Sequence, residues 1–420
     1  MVKETVGKTL EKCLTWQAKS VWEKIEPSEK DAIFAFGESY KKLLTQAKTE
    51  REAVDIIVAQ AKAAGFKDLL SGEVGAGLDS GDKFYAVNRN KMLIAGVMGK
   101  EDLLQGVHIV GSHLDAPRLD VKPNPIYESD GLALFKTHYY GGIKKYQWPG
   151  IPLALHGVVI TAGGEKLILN IGENPEDPVF TITDLLPHLA KDQMKKTMRE
   201  GVSGESLNVL LGSIPHADEE VKDRVKLAVL EYLFKSYGLI EEDLISAEIE
   251  VVPAGPARDV GFDRSMVGAY GQDDRGCVFP SLEAILGTSS PSKTALALFT
   301  DKEEIGSTGN TGAQSRFLEY TLAKLCTLTK LTGADVVLEV LAKSEALSAD
   351  TTTALDPNYE EVLDKQNGAG LGKGIVLTKY TGSGGKYDAS DANAEFVGKI
   401  RNLFNKAGVI WQIGELGKVD

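Results

Sequence analysis

The run Leu296-Ala-Leu-Phe-Thr-Asp-Lys-Glu-Glu-Ile-Gly306 decides how this chain is read, because a strand-like apolar stretch stops abruptly at two adjacent carboxylates, Glu303 and Glu304. Consecutive residues of an extended chain point to opposite sides. Two glutamates at the mouth of a strand are therefore able to serve two tasks, one holding a metal ion and the other moving a proton. The plainer alternative is a solvated acidic turn, since most glutamates decorate surfaces. The choice between them rests on the rest of the chain.

At 420 residues the chain is longer than one core organises, and a length of roughly 150 residues per domain points to two domains. With 43% hydrophobic and 25% charged residues it has the composition of an ordinary globular protein. A formal charge of −13 and a pI near 5.1 argue against a general nucleic-acid binder, which shows a basic face. The first twenty residues carry Lys3, Glu4, Lys8, Glu11 and Lys12 and so lack the apolar core of a secretory signal. No stretch approaches the roughly 18 apolar residues that span a bilayer. Cys13, Cys277 and Cys326 are far apart, odd in number and form no CxxC, which supports neither a disulfide framework nor a thiolate metal site. Cytoplasmic residence without membrane or nucleic-acid partners is expected.

Residues 1 to 64 interleave charged and apolar positions as amphipathic helices do. Lys83 to Arg89 and Lys91 to Met98 look like paired strands, and Val107-His-Ile-Val-Gly-Ser-His113 is a further strand. From about residue 117 to 260 prolines, glycines and aromatics cluster among short strands, with helical segments expected around 184–199 and 218–237. This change of texture between two halves of another pattern suggests an inserted domain. The chain resumes with Gly271-Gln-Asp-Asp-Arg-Gly276 and a helical run from Val278 to Leu286, then the opening strand, a long helix around 315–332, and a passage to Leu347-Ser-Ala-Asp350. Strands alternating with helices on both sides of the insert imply a three-layer α/β sheet.

The chemistry gathers at strand ends: His113 with Asp115, Asp273 with Asp274, Glu303 with Glu304, and Asp350. In α/β sheets ligands bind beyond the carboxyl ends of strands, so residues distant in sequence converge there. His113 and Asp115 share a face of an extended chain, and a metal-bound imidazole commonly donates its other N–H to a carboxylate, a natural role for Asp115. A chance His-x-Asp at a strand end is the alternative. One imidazole with several carboxylates and no thiolate suits zinc, manganese or cobalt, best as a pair of ions activating one water. A free carboxylate must then move the water proton to the leaving group, and one member of the 303/304 pair fits. Rival chemistries do poorly. Gly382-Ser-Gly-Gly-Lys386 has Tyr387 where a phosphate loop needs Ser or Thr, Gly368-Ala-Gly-Leu-Gly-Lys373 fails that pattern too, and neither HExxH nor GxSxG occurs.

Gly111-Ser-His-Leu-Asp-Ala-Pro-Arg-Leu119, Asp273-Asp-Arg275, Asp301-Lys-Glu-Glu-Ile-Gly-Ser307, and Ser348-Ala-Asp350 followed by Asp356-Pro-Asn-Tyr359 together resemble the M18 family of metallo-aminopeptidases, whose best-known members are aspartyl aminopeptidases. The related M42 family shares much of this pattern, but Tyr140-Gly-Gly142 and Leu186-Pro-His-Leu-Ala190 favour M18. The resemblance implies a zinc-peptidase-like three-layer α/β/α catalytic domain built from residues 1–116 and 261–420, with 117–260 as an inserted dimerisation and substrate-access domain. It implies two divalent ions per subunit, zinc foremost with cobalt or manganese as substitutes. His113 would bind the first ion, Asp115 would orient it, Asp273 would bridge both, Asp350 would complete the first, Glu304 would bind the second and Glu303 would be the general base. Asp274 receives no ligand role. Dimers would assemble into a tetrahedral dodecamer that admits peptides and trims their N-terminal residue.

Three departures stand out. The family's second metal expects a histidine near the C-terminus, whereas His216 is the last histidine here, so the sequence is expected to be shortened at its C-terminal end. In Pro187-His188-Leu-Ala-Lys-Asp192, Asp192 falls where a histidine reaching a neighbouring subunit's site is usual, leaving His188 as the candidate. Thr378 falls where a lysine would favour acidic N-terminal residues, with Lys379 one place away. Two alternatives remain open from sequence: the same fold with a defective second metal site acting as a scaffold or peptide-binding assembly, and a related binuclear deacylase.

Overall fold

Alternation in Met92–Val97 sets the layers: Leu93, Ala95 and Val97 enter one apolar core while Met92 and Ile94 enter another on the opposite face, as the period of two requires. The structure is a computed structural model describing residues 5–75, 77–381, 385–386 and 389–419. Of the glycine-rich stretch Gly382-Ser-Gly-Gly-Lys386 and its neighbour Tyr387, residues 382–384 and 387 lie outside the described residues. The chain divides into two compact units, Ser39–Asp350 and a unit formed by Met1–Glu38 with Thr351–Asp420.

The larger unit holds two six-stranded sheets. The first runs Lys67–Asp68, Lys83–Asn88, Met92–Val97, Ala295–Thr300, His108–His113, Glu345–Ser348 in spatial order. Its last three strands are mutually parallel, so their carboxyl ends reach the same edge. Helices Glu50–Ala63 and Gln272–Gly287 cover one face through Ala53, Val54, Ile57, Val278, Phe279 and Leu282. Helices Phe317–Leu328 and Val336–Ala342 cover the other through Leu322, Leu325 and Val340. Each fully buried aliphatic side chain contributes about 1.5–3 kcal/mol. The three-layer α/β/α expectation is met in these strands and helices.

The second sheet lies in sequence between His113 and the helix at Gln272, as the inserted strand-rich segment was expected to. Its order is Lys166–Ile171, Leu153–Ile160, Glu248–Pro253, Arg118–Ser129, Leu132–Tyr140, Val209–Gly212, all antiparallel. It builds a separate core around Leu119, Leu153, Val159, Ile249 and Val251, with helix Arg224–Tyr237 packed on it through Val229, Leu230 and Leu233. The continuous helix expected around 184–199 does not form: its only helical pieces are a 3-10 turn at Gln193–Lys195 and a four-residue α-helix at Met198–Gly201. Pro187 disfavours helical geometry at the residue before it, and Leu185, Leu186 and Leu189 are exposed, so no core rewards an amphipathic helix there.

Between the sheets runs a seam of buried charge. Arg118 reaches Glu50 at 3.5 Å and Glu250 at 3.2 Å, and Lys91 reaches Glu50 at 2.9 Å. Glu52 closes a capping box with Thr49 on helix Glu50–Ala63 and also meets His156 Nδ1 of the second sheet at 2.8 Å, while His156 Nε2 lies 3.2 Å from Glu173. Breaking such a pair from one side costs about 3–5 kcal/mol.

In the smaller unit, helix Ala394–Ala407 leads to a short parallel pair, Ile375–Leu377 with Trp411–Ile413, and Trp16 lies against Trp411 with ring centroids 5.1 Å apart. Residues 351–420 group with the N-terminal segment.

His156 gives a pH test. Burial opposes its charge, but hydrogen bonds to Glu173 and Glu52 outweigh that and raise its pKa. A raised folded-state pKa stabilises fully below the unfolded value of about 6.5 and loses that contribution as pH rises through the folded value. His156→Gln should therefore destabilise by about 3–5 kcal/mol in urea unfolding at mildly acid pH. The gap from the wild-type chain should narrow in alkali.

Candidate metal centre

The parallel strands bring the site together. Thr300 pairs with His113 in register, the Leu114 amide donates to the Thr300 carbonyl at 2.8 Å, and the Ala349 amide donates to the Gly111 carbonyl at 2.8 Å. The ends of three strands are thus held level, delivering His113, the Glu303–Glu304 segment and Asp350 to one place. Asp273 and Asp274 come from the first residues of Gln272–Gly287, where their backbone is still non-helical, and that helix packs against the His113 strand. Carboxylates at a helix N-terminus face the favourable end of its dipole.

His113 is 3% exposed and Asp115 fully buried. The imidazole Nδ1 lies 3.0 Å from the Asp115 carbonyl oxygen and 3.2 Å from its Oδ1. Nε2 faces the carboxylates: Asp273 Oδ1 at 3.3 Å, Glu303 Oε2 at 3.8 Å and Asp350 Oδ1 at 3.9 Å. Asp115 does more than orient the ring. Its Oδ1 accepts the Glu303 amide at 3.1 Å, and its Oδ2 accepts the Glu304 amide at 3.2 Å and the Tyr140 hydroxyl at 2.8 Å. The two glutamates therefore sit not on an extended chain, as read from sequence, but in a single turn, Glu303–Ile305, entered through Lys302 at φ 67° and left through Gly306 at φ 97°. Their amides, turned inward, are what the buried carboxylate holds.

Among the described residues, two groups of side chains could each hold a metal ion, His113 with Asp273 and Glu304, and His113 with Asp274 and Asp350. The donor atoms of each lie within 4.8 Å of one another. His113 Nε2 and Asp274 Oδ1 are buried yet make no hydrogen bond, the arrangement that a cation among carboxylates completes. The residues therefore fit a divalent ion. Without one, burial and then the Asp273 charge push the Glu304 carboxyl up to about 7 and that of Asp350 to about 6. Burial alone is the main cause for Asp274, also pushed to about 7. For His113 burial works against the charged ring, but the Asp115 and Asp273 carboxylates beside it raise it to about 11. The cluster calls for positive charge.

All six residues singled out from sequence as ligands, base or orienting group converge here. Asp274, given no role from sequence, joins them: it lies in the second group, and its Oδ2 accepts the His113 amide at 3.3 Å. His188 lies exposed in a turn and belongs to neither group; Lys379 is exposed in the smaller unit. Sequence reading missed Tyr140 as part of the site, although Tyr140-Gly-Gly142 had stood out for its resemblance. Gly141 is needed beside it: its φ is 72°, and a Cβ there would meet Glu304 Cβ at 3.1 Å.

The family model described as aminopeptidase I zinc metalloprotease (M18) matches residues 43–420. A probable M18 family aminopeptidase 1 from Clostridium acetobutylicum is 47% identical over 405 residues, covering 96% of this chain and 87% of that one. The crystal structure of an M18 family aminopeptidase from Thermotoga maritima superposes with a TM-score of 0.92 at 46% identity, covering 97% of this chain and 88% of that one. A structure described as the S. cerevisiae mApe1 dodecamer shares the fold at 22% identity, with a TM-score of 0.71 and coverage of 91% and 85%.

Gly141→Ala should strain the left-handed backbone by about 1–3 kcal/mol and displace the Glu304 carboxylate. Lower metal content per chain after dialysis, with the fold retained by circular dichroism, is the expected result.

Proposed function

The chain belongs to the aminopeptidase I zinc metalloprotease (M18) family and is a metallo-aminopeptidase, and from that premise we propose that its strand-end cluster binds two ions per subunit and removes the N-terminal residue of peptides. The observation that carries this reading is the buried His113 Nε2, without a hydrogen bond and facing three carboxylates at 3.3–3.9 Å. The family is one of zinc enzymes; cobalt and manganese suit the same donors.

In the proposed division of labour, His113 and Asp350 would hold the first ion and Glu304 the second, with Asp273 shared between them. Asp274 is a further donor for the first ion, supported by its place beside His113 and Asp350. Bound there, the ions would polarise the scissile carbonyl and acidify a water. Glu303, about half exposed at the rim with Oε2 3.8 Å from His113 Nε2, takes the water proton and delivers it to the departing amine. Asp115, hydrogen-bonded to its own neighbours, is filled and does not exchange protons; it fixes the ring and the turn.

Residues 117–260 are proposed as the dimerisation and access module, within a homo-oligomer of dimers in tetrahedral, dodecameric arrangement. Support comes from the exposed Leu185, Leu186, Leu189, Met194 and Met198, an apolar run of the kind that marks an association surface, and from the related fold of a dodecameric aminopeptidase. His188 lies in that run and is the candidate for a neighbouring subunit's site. Lys379 is proposed to bias the enzyme toward acidic N-terminal residues. A cytoplasmic location is proposed; no helix among the described residues is long and apolar enough to cross a membrane.

Glu303→Gln should keep its metal and lose turnover by about 10²–10⁴-fold, whereas Glu304→Gln should lose metal; equal metal loss in both variants would contradict the assignment. A deacylase is separated by substrate: aminoacyl amides should be cleaved and their N-acetylated forms left intact, and cleavage of both would refute the aminopeptidase reading.

A further inference from the structure

We infer that Tyr140, supplied by the second sheet, is a positioning residue for the metal centre: its hydroxyl fixes the Asp115 carboxylate that holds both His113 and the Glu303–Glu304 turn. The inference rests on the proposed metal centre and concerns a residue that touches none of the proposed ligand atoms. Tyr140 ends strand Leu132–Tyr140 and pairs in register with Arg118, which begins strand Arg118–Ser129. One neighbour fixes its ring. The Arg118 guanidinium lies over it, 3.8 Å from the centroid, in the range where a cation is drawn to an aromatic face. Arg118 is itself held by Asp120 at 2.8 Å and by Glu250 and Glu50 at 3.2 and 3.5 Å. The hydroxyl so aimed donates to Asp115 Oδ2 at 2.8 Å.

This bond matters because, among the described residues, the Asp115 carboxylate has no other tie to the second sheet. Its two oxygens face four partners: His113 Nδ1 and the Glu303 amide at Oδ1, the Glu304 amide and the Tyr140 hydroxyl at Oδ2. Asp115 is fully buried, and a buried carboxylate needs its hydrogen bonds filled. Three of the partners belong to the site itself and move with it. Tyr140 alone ties the carboxylate to a different sheet, and so it sets where the other three are held. With the hydroxyl removed, the carboxylate is free to rotate toward its remaining donors, carrying the imidazole and the turn with it. Partners of this kind, one bond removed from the ligands, commonly influence metal affinity by 10- to 100-fold.

The test is Tyr140→Phe in the full-length protein, which keeps the ring and its stack with Arg118. The measurements are zinc affinity by competition with a chromophoric chelator, kcat and KM on an aminoacyl amide, and thermal unfolding of the metal-free protein. Zinc should bind about 10- to 100-fold more weakly, and kcat should fall with KM little changed, while metal-free unfolding stays cooperative. Tyr139→Phe, on the exposed neighbour, should match wild type. Wild-type zinc affinity and kcat in Tyr140→Phe would overturn the inference, as would loss of cooperative unfolding, which would make the residue merely structural. His113→Ala serves as the control on the underlying reading: if it retains zinc as wild type does, the metal centre itself is misassigned and the inference falls with it.

Discussion

A single buried carboxylate, Asp115, is the constraint on which the rest of the site depends. A charge with no exposure to water persists only when its oxygens are filled, and the donors on Asp115 come from His113 at the end of one strand, the Glu303–Glu304 turn after another, and Tyr140 in a different sheet. One group therefore fixes the ring that faces the metal, shapes the turn that carries two glutamates, and registers the insert against the catalytic layers. The seam of Arg118, Glu50, Glu250 and Lys91 extends the same tie away from the site. Its net contribution to stability is small by the usual balance of desolvation and attraction, but it leaves few positions in which both sheets satisfy their charges.

The level ends of three parallel strands explain why so many acids meet. Parallel pairing sends the Ala295–Thr300, His108–His113 and Glu345–Ser348 strands toward one edge, and the loops that leave it carry the acids. Burial and mutual repulsion raise Glu304, Asp350 and Asp274. A fold that keeps such a cluster accepts unfavourable electrostatics that divalent cations reverse.

The parts of the site that sequence made legible are those set by local pattern. The apolar alternation before Asp301 and the two-residue step from His113 to Asp115 each declare themselves at the end of a single strand. What stayed hidden depends on pairing across distance. Tyr140 meets Asp115 only because strands Arg118–Ser129 and Leu132–Tyr140 close a hairpin with Arg118 opposite Tyr140, and no spacing rule carries a hydrogen bond from one sheet into another. Asp274 was indistinguishable from Asp273 by residue type; what separates them is burial, since Asp274 is fully buried while the Asp273 side chain is 57% exposed. The 184–199 segment misled for the opposite reason: its leucines have helical spacing but no core beneath them within the chain. Likewise the grouping of residues 351–420 with the N-terminal segment rests on contacts between chain ends, which leave no periodic trace.

Burial also divides the site's residues by what they can tolerate. His113 and Asp115 are enclosed, and a change there disturbs packing and hydrogen bonds together with function. Asp273, Glu303 and Asp350 carry side chains roughly half exposed, at 57%, 47% and 51%, so the fold has little interest in their identity. Acids held close together at a cost in repulsion suit the proposed metal centre, Asp273 and Asp350 as ligands and Glu303 as its base. The enclosed pair supplies rigidity and the open three supply access, which is the combination a hydrolytic centre requires: donors fixed well enough to hold cations, facing a side from which peptide and water can arrive.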